Sequence, residues 1–254
     1  MKELDFVEKQ REVWYHEWRT VENRRKELEE AGLPLVEELG RAPLKTDFGD
    51  FTFVEYGDKT TGYEHKVLVY GDIRDGALGD GEDVLIRMHS ACWTSEVAHA
   101  VNCECRQEKN KALKAIAKEG RGIFLYLQQE GRGTGVGKML QLDRMLEFED
   151  GEIKQRVDEN GERVDTDKAY KEAGYPSECR DYSCAGEILN QLGVKSVRMM
   201  TNNPDKIESI REAGIGVERI GIHVAVENEI VEADLRSKHE NLGHFINEEQ
   251  WALK

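Results

Sequence analysis

The sequence predicts an α/β protein: a mixed sheet flanked by helices in layers, preceded by an N-terminal helical extension. Two observations carry this. From about Asp47 onwards, short apolar runs of strand length alternate with segments of helical length. Ahead of them, over residues 4–31, Val7, Trp14, Trp18, Val21 and Leu28 recur at spacings of seven, four, three and seven. Such spacing lines one face of a helix. Its other faces are dense in Glu, Lys and Arg, and Gly32 and Pro34 stop it. The stripe has two possible uses: packing on the domain or a second subunit, or engaging a partner.

The remaining elements follow in order. Strands are predicted over 51–56, 66–70, 84–88, 123–127 and 197–200. Helices are predicted over 106–118, 139–148, 184–192 and 205–212, the last two closed by Gly193 and Gly214 as helix ends often are. Residues 147–167, EFEDGEIKQRVDENGERVDTD, interrupt this texture with charge, and Asn160-Gly161 marks a hairpin turn. The expected division is an extension over 1–45 and a domain over 46–254 with that hairpin inserted. From Val231 onwards the chain is polar and offers only a short helical tail.

Composition bounds the function. At 254 residues, 39% hydrophobic and 34% charged, the chain reads as a soluble globular protein. No apolar run approaches the roughly 20 residues needed to span a bilayer. The opening MKELDFVEKQ lacks the apolar core of a signal peptide, so the expected location is the cytoplasm, with no membrane partner. Five cysteines, an odd number, argue against a disulfide framework. A formal net charge of −15 argues against binding nucleic-acid polymers, which calls for a basic face. A small nucleotide needs only a local cluster of cations.

Four clusters carry chemistry. In RMHSACWTSEVAHAVNCECRQE, ten residues separate Cys92 from Cys103 and Cys105. Three converging thiolates point to zinc with its fourth position open for water. His89, three residues before Cys92, offers the rival: a closed Cys₃His structural site. Cys179 and Cys184 read as packing residues. The second cluster, YLQQEGRGTGVGK, is a glycine turn with Glu130, Arg132 and Lys138. It fails the P-loop pattern, with Arg132 where the first glycine belongs and Met139 where Ser or Thr is required. Its backbone N–H groups and Arg132 can nevertheless seat an anion. In TNNPDK, Asn and Pro read as a helix start, and Thr201 and Lys206 as an anion seat. In ECRDY, Glu178 stands two residues before Arg180. A metal-activated water beside an anion cradle reads as hydrolysis of a phosphorylated small molecule.

RMHSAC–x₁₀–CEC, YLQQEGRG, ECRDY and TNNPDK, in this order, resemble GTP cyclohydrolase II, the zinc enzyme that opens the guanine ring at the start of riboflavin synthesis. The likeness runs from about residue 46 to residue 220. It implies zinc on Cys92, Cys103 and Cys105, and nucleotide contacts at Arg87, Met88, His89, Ser90 and Ala91. Further contacts fall on Glu108, Glu130, Gly131, Arg132, Thr166, Thr201 and Lys206. The family's acid–base carboxylate falls on Glu178 and its proposed arginine nucleophile on Arg180. GTP as substrate, hydrolysis at C8 with formate and/or pyrophosphate release, Mg²⁺ at the triphosphate and a homodimer are implied with them. Glu130 is also a candidate proton shuttle.

Three positions depart from the family pattern. The glutamine three residues after the last zinc cysteine is Glu108, with Gln107 beside it. The acid–base aspartate is Glu178. The tyrosine after the glycine turn is absent, and the aligned residue is Leu142. A guanidinium stays protonated below about pH 12 and lacks a free lone pair, so Arg180 is read as a charge stabiliser. Two alternatives accompany the departures: a ring-opening hydrolase of a pyrimidine (uracil) nucleotide, and a non-catalytic zinc-stabilised nucleotide-binding protein.

Overall fold

The computed structural model describes residues 2–74, 76–135, 146–149, 151–172, 174–226 and 228–246. The chain opens with helix α1 (Lys2–Glu30), the predicted extension. Of its stripe, Val21 and Leu28 are half-buried and Trp18 is exposed, while the side chains of Val7 and Trp14 lie outside the described ones. Arg25 ties α1 to the body by pairing with Asp181 and donating to Ser183.

The strands that follow are β1 (Val36–Thr46), β2 (Gly49–Asp58), β3 (Glu64–Tyr70), β4 (Ile73–Arg74) and β5 (Ala77–Leu78). Then come β6 (Val84–Ser90), β7 (Gly122–Leu127), β8 (Leu146–Glu149), β9 (Glu152–Gln155), β10 (Ser196–Met200) and β11 (Gly216–Ile220). Seven of them form one sheet in the order β1-β2-β3-β7-β6-β10-β11. Pairing is antiparallel from β1 to β7 and parallel from β7 to β11. The helices after α1 are α2 (Trp93–Glu96), α3 (Cys105–Glu119), α4 (Thr166–Glu172), α5 (Ser183–Gln191), α6 (Pro204–Glu212) and α7 (Glu229–Leu242). No helix among the described residues is long and apolar enough to cross a membrane.

The sheet has a core on each face. Ile86 and Met88 of β6 pack with Ile188 and Leu189 of α5 and Ile207 and Ile210 of α6. Leu85 belongs to the opposite core, with Ala112, Leu113 and Ile116 of α3. Strand side chains alternate between faces, so Arg87 and His89 share the α3 face with Leu85. That alternation decides which residues of RMHS reach the site.

All five predicted strands and the predicted helices 106–118 and 205–212 lie within observed elements, and 184–192 overruns α5 by one residue. Three stretches differ. Residues 36–45, expected in the extension, belong to β1, which pairs along β2 from Val36↔Asp58 to Thr46↔Gly49. β1 is an edge strand in which only Val36 is buried, so it lacks alternation, and Gly40 and Pro43 disguise it further. The predicted helix 139–148 ends in strand: 146–149 is β8, paired with β9 around Gly151 at φ +83°, and 136–145 lies outside the described residues. The Asn160-Gly161 turn forms as expected, closed by a Val157↔Arg163 bridge, with the Asp158 carboxylate accepting the Asn160 and Glu162 N–H groups. Finally, the polar C-terminal stretch is the fourteen-residue helix α7, and it reaches the site.

Candidate active site

Three of the four clusters leave the carboxyl ends of adjacent strands. Cys92 follows β6, Gln128 to Arg132 follow β7, and Thr201 to Asn203 follow β10. Such ends of neighbouring parallel strands, which here are β7, β6 and β10, are where open α/β sheets bind ligands.

The Sγ atoms of Cys92, Cys103 and Cys105 all lie within 4.8 Å of one another. Cys92 and Cys103 are 3.7 Å apart. Zinc bonded tetrahedrally at about 2.3 Å sets its sulfur ligands about 3.8 Å apart, so the thiols fit that ion. Cys105 is the first residue of α3, and the Cys103 and Cys92 thiols together with burial push its pKa up. Hydrogen bonds from the Cys105 and Cys92 thiols push the Cys103 pKa down against its burial.

His89, the rival fourth ligand by spacing, is turned to Glu96. Its Nε2 lies 2.8 Å from Glu96 Oε1, and Tyr126 Oη donates to the other Glu96 oxygen at 2.5 Å. The imidazole stacks beside Tyr126 with centroids 5.9 Å apart. Among the described residues, the thiol cluster contains no histidine. Glu96 and Tyr126, which fix this ring, went unnoticed in the sequence because nothing in the spacing pairs them.

On the β10 side, cations gather. Arg87 donates to the Met200 carbonyl at 2.8 Å and to Glu108 at 2.5 Å. Lys206 Nζ donates to the Met88 carbonyl at 3.1 Å and lies 5.3 Å from the centre of the Tyr182 ring. Thus Met88 contributes its backbone, its side chain being in the core. Thr201 is buried and accepts the Asn203 N–H, while Asn203 caps α6 by accepting from Asp205 and Lys206. Arg180 grips Glu178 through Nε at 2.7 Å and a second N–H. Burial would raise the Glu178 pKa, but Arg180 outweighs it and keeps the carboxylate ionised.

The glycine turn links the two ends. Glu130 accepts the N–H of Trp93, next to Cys92, and burial raises its pKa. Arg132 sits at φ +52°, donates to the Ser177 carbonyl at 3.0 Å and lies over the Tyr170 ring. Gly133 has φ +88°, and a Cβ there would meet the Cys179 carbonyl oxygen at 2.7 Å. Only glycine lets the turn approach the ECRDY segment this closely. Lys138 and Leu142 lie outside the described residues.

Two adjoining cavities result. Ala91, Cys92, Cys103, Gly131, Arg132 and Thr166 line one, and Arg87, His89, Glu108, Thr201 and Lys206 the other. Ser90, Cys105 and Arg180 line both, as do Lys238 of α7 and His244 just beyond it. Of the expected residues, Glu130, Glu178 and Met88 do not line these cavities. Glu178 faces a groove beside α1 that Arg180 also reaches.

The family model described as GTP cyclohydrolase II matches residues 37–221. The chain belongs to the GTP cyclohydrolase II family. It is 40% identical over 212 residues to GTP cyclohydrolase-2 of Pseudomonas putida (strain W619), covering 83% of this chain and 94% of that protein. Identity to GTP cyclohydrolase-2 of Actinobacillus succinogenes is 36%, covering 83% and 88% respectively. A solved two-domain 3,4-dihydroxy-2-butanone 4-phosphate synthase from A. baumannii aligns with 79% of this chain and 48% of its own. Its TM-score of 0.38 at 13% identity is too distant to bear on the fold. As a GTP cyclohydrolase II-like protein the chain is a hydrolase, and the clusters that resemble the family all meet at the carboxyl end of one sheet.

Proposed function

We propose that this GTP cyclohydrolase II family member opens the imidazole ring of GTP by zinc-dependent hydrolysis at C8, with Cys92, Cys103 and Cys105 as the zinc ligands. The observation that carries this is the junction of the two cavities: the thiol end and the cation end share Ser90, Cys105 and Arg180. One ligand can therefore reach both. Zinc, when bound, supplies a Lewis acid that brings the pKa of a water at its open position towards neutrality.

The chain's own residues supply the rest. Glu130 stands just outside the cavity lining, bonded to the N–H of Trp93 beside Cys92 and with a raised pKa, and exchanges protons with the ring nitrogens through water. Ser90, Ala91, Gly131 and Thr166 form the wall at the base, and the Met88 carbonyl holds Lys206. Arg87, Arg132, Arg180 and Lys206, with Mg²⁺, neutralise the phosphates. Glu178 holds Arg180 in place. A homodimer in the cytoplasm serving riboflavin synthesis accompanies this reading.

The test is incubation of zinc-replete protein with the common nucleoside triphosphates, with products identified by mass. The expected result is loss of GTP alone, with an aminopyrimidine ribonucleotide and stoichiometric formate. A product retaining the formyl group means that hydrolysis stops after ring opening. Glu108 already neutralises Arg87 at 2.5 Å, so uridine nucleotides belong in the panel. A ring-opened uridine product with GTP intact overturns the assignment of the base, and retained zinc without turnover overturns catalysis.

Lys206 gives this reading a pH signature. Burial and then the neighbouring Arg87 and Arg180 push its pKa well below the ordinary lysine value, against the opposing pull of Glu108 and Glu178. Bound phosphates favour the ammonium. Binding above the lowered pKa therefore takes up a proton, and affinity falls as pH rises through it. Calorimetry of a non-hydrolysable GTP analogue in buffers of different ionisation enthalpy should show net proton uptake, lost in Lys206→Met.

A further inference from the structure

The C-terminal helix α7 touches the cysteine loop at one buried point. Glu104, between Cys103 and Cys105, is 4% exposed. Its Oε1 accepts from Lys238 Nζ at 2.5 Å, and Lys238 also bonds Asp234 one turn earlier at 2.7 Å. Among the described residues Glu104 Oε2 has no hydrogen-bond partner, so the contact with Lys238 is what holds this buried side chain.

The helix is pinned elsewhere as well. At its start Asn228 donates to the Val101 carbonyl at 2.8 Å and accepts the Ile230 and Val231 N–H groups. Beyond its end Phe245 N–H reaches the Asn202 carbonyl at 2.8 Å, and Ile246 packs on Val231 and Leu235. The position of Lys238 is therefore set by contacts that do not involve the thiols. Glu104 is bonded covalently to both Cys103 and Cys105, so fixing its side chain fixes the backbone that carries two of the three Sγ atoms.

We propose that Lys238 is a positioning residue of the metal centre: through Glu104 it holds the Cys103–Cys105 loop in its metal-binding geometry, which makes α7 part of that centre. This rests on the three cysteines being the zinc ligands. Residues one shell removed from a metal commonly change its affinity by about 10–100-fold when replaced. A buried carboxylate stripped of its cation reorganises its surroundings, and here the surroundings are the ligand loop.

The experiment measures zinc affinity of the full chain by competition with a chromophoric chelator, alongside the thermal midpoint of the zinc-free protein. Lys238→Met and Glu104→Leu should each weaken zinc binding by about 10–100-fold. The double variant should be no weaker than the worse single one, because both act through one contact. Glu232→Gln, which removes a surface ion pair with Arg236 on the same helix, should leave zinc affinity within about threefold of the parent. Unchanged affinity in Lys238→Met, additive losses in the double variant, or an equal loss in Glu232→Gln overturns the proposal. Should Lys238→Met fail to fold, Glu104→Leu against Glu232→Gln decides alone. If Cys103→Ser binds zinc as tightly as the parent, the ligand assignment itself has failed, and that outcome is distinct from the others.

Discussion

Cys103→Ser is expected to abolish zinc retention and turnover together. Cys103 Sγ lies 3.7 Å from Cys92 Sγ, and all three sulfurs lie within 4.8 Å of one another. A serine hydroxyl is not ionised near neutrality and is a poor zinc ligand beside two thiolates. His89 is held by Glu96 at 2.8 Å and is not turned to the thiols. Zinc per chain after dialysis should fall from one to below about 0.1, and kcat/KM by about 10³-fold or more, equivalent to about 4 kcal/mol. Two comparisons give the result its meaning. Cys184 is buried in the main core, so Cys184→Ser should keep its zinc while losing stability. His89→Ala should also keep zinc, because its ring faces Glu96. Zinc lost in His89→Ala but kept in Cys103→Ser would reverse the assignment of ligands.

Much of this site is legible in the sequence because its residues carry local signals. The period-two pattern of β6 puts Arg87 and His89 on one face and Met88 on the other. Asn203 and Pro204 announce the start of α6, and the structure has Asn203 capping it. The long-range pairings are not legible. Lys238 and Glu104 are 134 residues apart, and either alone reads as a solvated charge; only packing turns them into a buried pair. α7 therefore looked uninformative while its lysine and the following His244 line both cavities. The rival role of His89 is a different case: its distance in sequence from Cys92 allows ligation, and its orientation towards Glu96 cannot be read from spacing. β1 was hidden because an edge strand with one buried residue has no alternation to read.

Arg180→Lys separates two roles for the arginine of ECRDY. Its guanidinium grips Glu178 through two N–H groups and lies over the Tyr182 ring, and the Arg180 backbone N–H donates to the same carboxylate. Burial opposes its charge, yet Tyr182 and Glu178 push its pKa further up. A group held protonated this firmly stabilises charge on a departing phosphate and offers no lone pair to attack one. Lysine keeps the charge but loses the fork, so kcat/KM should fall by about 10²-fold, with measurable pyrophosphate release remaining. Arg180→Met also strands the Glu178 carboxylate, and removing one partner of such a pair costs about 3–5 kcal/mol, so a loss of about 10³-fold and a lower thermal midpoint are expected. Ring opening and pyrophosphate release should be followed separately, since Arg180 lines both cavities and its loss should slow the phosphate step more than the ring step. A nucleotide adduct on Arg180 of the parent protein, trapped by acid quench and located by peptide mass, would show that the guanidinium does attack, and the charge-stabilising role would have to be abandoned.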